Sequence, residues 1–240
     1  MRYQGGKYRQ AGVISNYVNM VKTTSHYCEP FCGALSVACK VDDRFELLLC
    51  DNNKALITMW SYLLNNEVIL PSISESDYNE LKNLKDPDNW LTAYAGFGLS
   101  FGGKWFGGYA RGRGDYNGEL QRSVEKKIRS LKSKKAVDFV HCDCYDLVVN
   151  SKSVIYLDPP YVGRTGVGGF NRDGLDVFEL GERLVNDGHI VLITEFRQGG
   201  EFIPLHNFGD TVVRHHKQKT KGDGTSELLM CHQSQMEVFK

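Results

Sequence analysis

Short uninterrupted apolar runs alternate along the chain with longer stretches in which apolar residues recur three or four apart. Residues 26–33, 45–50, 136–142, 153–157 and 188–194 are runs of the first kind. Their composition and bounding polar residues predict strands of a parallel sheet, with 153–157 and 188–194 buried within it. The first breaks at Pro30 and turns through Gly33. Between the runs, Val13, Tyr17, Met20 and Val21 share one helical face after a glycine turn. Residues 34–40 have the small and apolar composition of a helix packed on a sheet, and 54–64, 72–84 (entered after Ser74 to Asp77) and 175–184 also read as helices. Segments 210–215 and 226–232 flank 217–224, where Asp223-Gly224 is a hairpin signal, so the sheet is expected to end in an antiparallel pair. The pattern predicts an α/β fold of Rossmann-like type, mostly parallel with a terminal antiparallel hairpin.

Between residues 65 and 135 the rhythm changes. In 96–114 glycines alternate with aromatics and cations, which predicts a backbone-rich loop. Its aromatics either stack on bases between phosphate-contacting cations or plug the adjacent core. A basic helix follows over 117–131, with Leu120, Val124, Ile128 and Leu131 on one face. The whole chain balances 29 basic against 29 acidic residues, but 101–135 holds ten basic and three acidic, net +7, leaving −7 elsewhere. That asymmetry points to a polyanion, with Lys104, Trp105, Tyr109, Arg111, Arg113, Arg122 and Lys126 as candidate contacts. Two parts are expected, a sheet domain over 1–65 and 136–240 and a small, mainly helical basic insertion over 66–135. The 240 residues suit one such domain with an insertion. Neither a signal core nor a membrane span is present in the sequence, so a cytoplasmic protein is expected. Seven cysteines without a paired CxxC read as reduced core or site-lining residues, with no metal site.

The candidate chemistry lies where strands end. Asp158-Pro159-Pro160-Tyr161 follows the fourth run, presenting an acid, a rigid turn and an aromatic ring at a strand's carboxyl end, where open α/β sheets bind ligands. Asp51 ends the second run about twenty residues beyond the Gly33 turn, the place of an acid that bonds ribose hydroxyls; Asn52 or Asn53 could cap the next helix. The turn has a single glycine and no GK[ST], so a nucleoside without phosphates suits it better than a pyrophosphate. Asp143 reaches the same edge, Gly5-Gly6-Lys7 adds close backbone approach and a cation, and four glycines in 163–169 predict a mobile loop near the site.

Taken in order, Tyr3-Gln4-Gly5-Gly6-Lys7, Glu29-Pro30-Phe31-Cys32-Gly33, Asp51-Asn52, Asp143, Asp158-Pro159-Pro160-Tyr161 and the terminal hairpin resemble the Dam-type DNA adenine-N6 methyltransferases, particularly compact phage members. The central Phe-Gly-Gly-Lys-Trp-Phe-Gly-Gly-Tyr stretch looks like that of the phage members as well. The resemblance implies a Rossmann-like S-adenosylmethionine-dependent methyltransferase fold, that donor with S-adenosylhomocysteine as product, and adenine in double-stranded DNA as acceptor. It implies donor contacts from Tyr3, Gly6, Lys7, Pro30, Phe31, Gly33, Asp51, Asn52, Asp143, Cys144 and Asp158, and catalysis by Asp158, Pro159, Pro160 and Tyr161, the ring stacking on a flipped base. The chain departs from the pattern at Cys144, where an aromatic is usual; either Tyr145 takes over that stacking or the wall is softer. A cytosine-N4 or RNA adenine methyltransferase, and a catalytically silent binder, are the alternatives. Recognition sequence, oligomeric state and a role in restriction protection or regulation are not readable from these residues.

Overall fold

Five apolar runs do line up side by side. The computed structural model describes residues 1–160, 176–209 and 226–240. In it β1 (His26–Glu29), β2 (Glu46–Asp51), β3 (Ala136–His141), β4 (Val154–Leu157) and β5 (Ile190–Glu195) are parallel, and β6 (Phe202–Asn207) and β7 (Leu228–His232) complete one seven-stranded sheet in the order β3-β2-β1-β4-β5-β7-β6. Strand β7 runs antiparallel to both of its neighbours, between β5 and β6. The sheet is Rossmann-like, and its order reverses between β1 and β4, which opens a crevice at their carboxyl ends.

Helices α1 (Ala11–Met20), α2 (Lys54–Asn65), α3 (Glu75–Leu84), α4 (Trp90–Gly98) and α5 (Tyr116–Lys132) share a core with one face of the sheet, through Tyr27, Leu47, Leu49, Tyr156, Leu192 and Leu229. Helix α6 (Val177–Asn186) covers the other, formed by Cys28, Ile155, Leu157, Ile193 and Met230. The insertion segment adds Tyr78, Tyr94, Phe97 and Val124 to the first of these cores. Helix starts follow local chemistry: Ser74 and Asp77 form a capping box on α3, and Asn53 caps α2 by accepting from Leu56 N–H.

Three expectations fail for identifiable reasons. Residues 34–40 are not an α-helix but a turn closed by a 3-10 segment, Ala38–Lys40. Leu35 has φ +58°, and side chains take the backbone groups that a helix would use: Lys127 Nζ donates to Ala34 O, Ser130 Oγ to Cys39 O, and Glu29 accepts from Ala38 N–H. Gly96 and Gly98 lie inside α4 instead of a loop, because a Cβ at Gly96 would come within 2.8 Å of both the Trp105 and Phe106 rings. The sheet does end antiparallel, with β7 between β5 and β6, but β6 is a strand that sequence reading missed because Pro204 interrupts it. The proline is tolerated on this edge strand beside a register shift between Pro204 and His206. Segment 210–215 and the 163–169 loop fall outside the described residues.

Candidate active site

Strand register brings the polar groups together. Tyr156 pairs with Leu192 and Leu192 with Cys231, all facing the α1 side, and two residues further along each parallel strand Asp158 and Thr194 emerge on that same side. Leu229, opposite Thr194, carries the same face back to Glu227. The Lys7 ammonium, just before α1, lies 2.6 Å from Asp158 Oδ1 and 3.3 Å from Glu227 Oε1. Thr194 Oγ1 donates to Asp158 Oδ1 over 3.0 Å and is itself hydrogen-bonded to the Tyr156 hydroxyl, and Gln10 Nε2 donates to Glu227 Oε2.

The charges here are buried, so their energetics are sharp. Burial alone would push Lys7 down, but Asp158 and Glu227 outweigh it and hold the ammonium above its usual value. For Asp158, burial pushes the carboxyl up; Lys7 and Thr194 pull it down and Glu227 adds to the rise. Lys7 has a side chain only 6% exposed, against 14% for Asp158 and 3% for Glu227. An ion pair so enclosed is held far more firmly than a surface one.

A second constellation adjoins it. Asp51, at the end of β2, accepts from Gly33 N–H through Oδ2 and Asn53 N–H through Oδ1, each at 3.0 Å. Burial pushes its carboxyl up to about 6 despite those two bonds. Gly33 has φ +44° and lies under the Tyr3 ring, 3.0 Å from where a Cβ would stand. Burial, with Asp51, Cys32 and Asp158 nearby, pushes the Tyr3 phenol well above its usual value, so this ring belongs to both carboxylate neighbourhoods. Gly6 N–H closes a turn onto Tyr3 O, and Trp60 Nε1 donates to Gly33 O.

The other predicted contacts are less uniform. Pro30 is buried and Phe31 half-buried below the turn; Asn52 is exposed, its carbonyl 3.2 Å from His141 Nε2. Asp143 is exposed beyond β3 and turns the chain by accepting from Tyr145 N–H. Burial and Asp143 push the half-buried Cys144 thiol up to about 12. The Tyr145 hydroxyl accepts from Asp176 N–H at the start of α6, and Arg183 lies over its ring. Pro159 is buried and Pro160 half-buried; Tyr161 lies outside the described residues.

Of the candidate nucleic-acid contacts, Lys104, Arg113 and Lys126 are exposed. Arg111 is paired with Glu75 and Arg122 with Asp115, 3.4 Å away. Trp105 packs between Phe97 and Phe106, and Tyr109 donates to Ile73 O while its ring meets Tyr78. Among the aromatics of 96–114, the one left at the surface is Phe101, 70% exposed and not foreseen.

Residues 3–96 match the model of the D12 class N6 adenine-specific DNA methyltransferases. The matched segment includes Tyr3, Lys7, Gly33 and Asp51 and ends before the Asp158 strand. No curated protein matches the chain. Similar solved structures include a conserved hypothetical protein of Streptococcus pyogenes, 10% identical with a TM-score of 0.40, covering 93% of this chain and 96% of that one. Another is the rRNA methyltransferase aviRa of Streptomyces viridochromogenes, 11% identical with a TM-score of 0.43, covering 95% and 86%.

Three site groups escaped sequence reading. Glu29 belongs to a noted motif but gives no sign of being buried against Tyr27 and Ala38. Thr194 and Glu227 reach Asp158 and Lys7 through the register of β5 and β7, which no local pattern encodes.

Proposed function

We propose that this chain, whose residues 3–96 match the D12 class model, transfers the methyl group of S-adenosylmethionine to the N6 amine of an adenine flipped out of double-stranded DNA. The observation that carries the reading is Asp158, a buried carboxylate at the crevice end of β4, oriented by Thr194 and Lys7.

The residues beside it fit the donor. Both Asp51 oxygens already accept one backbone N–H, and a carboxylate has about four lone-pair sites, so two acceptors suit vicinal ribose hydroxyls. Gly33 and Tyr3 form a close-packed floor where a side chain at Gly33 would intrude. In this reading Asp51 holds the ribose, Lys7, Tyr3 and the turn through Pro30, Phe31 and Gly33 line the remainder, and Asp143 with Cys144 borders the base. When bound, S-adenosylmethionine supplies an electrophilic methyl group.

The chain's own task is to make the amine a better nucleophile. Its lone pair is delocalised into the purine ring. Asp158 accepting one N–H and a backbone carbonyl of the Pro159-Pro160 turn accepting the other favour a more pyramidal nitrogen with the lone pair aimed at the methyl group. A base inside the duplex cannot reach a carboxylate this enclosed, which is why flipping is part of the reading. Orientation and electrostatic preorganisation in a site of low dielectric do the work, with little demand for a strong base.

Asp158→Ala is expected to lower N6-methyladenine formation by at least about 10²–10³-fold, the scale of losing a preorganised polar group. Nucleoside mass spectrometry after incubation of unmethylated duplex DNA with labelled donor measures it. Turnover near wild type in that variant sinks the mechanism, and N4-methylcytosine as product moves the acceptor base.

A further inference from the structure

Lys7 faces two carboxylates, only one of which is needed for the methyl transfer proposed above. Glu227 has no place in that chemistry, yet it is among the most buried charges of the described residues, at 2% exposure for the whole residue, and its two oxygens meet different groups. Oε2 receives Gln10 Nε2 at 3.1 Å from the start of α1, which restrains the rotation of the carboxylate, and Oε1 lies 3.3 Å from the Lys7 ammonium. The backbone of Lys7 is anchored, its carbonyl accepting from Ala11 N–H at 2.7 Å, so the mobile part of this residue is its alkyl stem. A small swing of that stem exchanges Asp158 for Glu227 as the nearer partner.

Asp158 Oδ1 already takes the Lys7 ammonium at 2.6 Å and the Thr194 hydroxyl at 3.0 Å, so an adenine N–H brought to that oxygen competes with Lys7 for it. A buried ammonium released without another anion is left uncompensated, which strongly disfavours release. Resting on the reading of Asp158 as the group that orients the amine, we propose that Glu227 is a positioning residue that takes over the Lys7 ammonium while Asp158 engages the adenine, so that Lys7 passes between two carboxylates without leaving the site. Among the described residues, the groups facing Asp158 in this exchange include Lys7 and Tyr3 from the N-terminal segment, Glu29 from β1, Tyr156 from β4, Thr194 from β5 and Glu227 beside β7.

The test is a double-mutant cycle on kcat, with N6-methyladenine as the product scored. Glu227→Gln should lower kcat about tenfold or more while donor KM changes by less than about twofold, because the lost interaction belongs to the acceptor step. Removing a negative neighbour favours ionised Asp158, so the acid limb of the kcat profile should move to lower pH, and Glu227→Asp should recover part of the rate. In a Lys7→Met background Glu227→Gln should have little further effect. An unchanged kcat, or an equal loss in both backgrounds, overturns the proposal. Calorimetric donor binding and thermal melts report folding. Should Glu227→Gln not fold, Gln10→Ala, which loosens Glu227 but keeps its charge, should lower kcat in the wild type and not beside Lys7→Met; equal losses in both overturn the idea. A wild type that forms no N6-methyladenine, or an active Asp158→Ala variant, refutes the underlying reading instead.

Discussion

Glu29 shows how much a single buried carboxyl controls. One of its oxygens accepts both the Tyr27 hydroxyl and the Ala38 N–H, and burial pushes its pKa up to about 8. In the unfolded chain it titrates near the ordinary 4.5. The folded state therefore binds the proton more tightly: the contribution to stability is complete below about 4.5 and is lost as pH rises through about 8. Glu29→Gln, which imitates the protonated form, should flatten this dependence and leave the variant more stable than wild type at pH 8.5 by on the order of 1 kcal/mol. Urea unfolding at pH 5 and 8.5 checks the sign. Asp51 and Asp158 were legible as residues ending strands, since an acid after an apolar run marks its carboxyl end. The burial of Glu29 was not, because one carboxylate inside a strand has the same pattern whether it faces water or a core.

Among the elements, α4 is the one whose sequence misleads most. Two glycines in its last turn argue against a helix by propensity, and the physical reason for keeping them is packing. A Cβ at Gly98 would overlap the Leu120 side chain of α5. Gly98→Ala should thus destabilise the protein by about 1–3 kcal/mol through overpacking, although alanine is the better helix former by about 1 kcal/mol. Combining it with Leu120→Ala should recover part of the loss, as read from denaturant midpoints. The same competition between local preference and tertiary contact explains the other misread elements. Residues 34–40 have helical composition, but their carbonyls and N–H groups are used by α5 and Glu29. Strand β6 has a proline that only an edge position accommodates. By contrast α1, α2, α3, α5 and α6 were legible to within a few residues, because each buries a continuous apolar stripe and most begin at a recognisable cap.

At the scale of the molecule, the alternation of apolar runs and helices made the parallel sheet readable, and the placement of β7 between β5 and β6 was what it could not supply. That placement sets Glu227 across from the Asp158 strand, so the unreadable part of the topology and the unreadable part of the site are one fact. The charge of residues 101–135 was readable, and of the two readings open for the aromatics of 96–114, packing into the adjacent core is the one found for Phe97, Trp105, Phe106 and Tyr109. Tyr3 joins these regions: its ring covers Gly33, while its backbone lies so close to Gly103 that a Cβ there would approach Tyr3 N to 2.5 Å, and Gln4 N–H donates to Gly103 O. The proposed donor floor and the loop bearing Phe101 and Lys104 thus press on a single residue. Two ligands sharing such a wedge obey thermodynamic reciprocity: whatever factor the donor adds to DNA affinity, DNA must add to donor affinity. Donor dissociation constants measured with and without duplex should differ by that common factor in the wild type, and Tyr3→Ala should bring the ratio toward one.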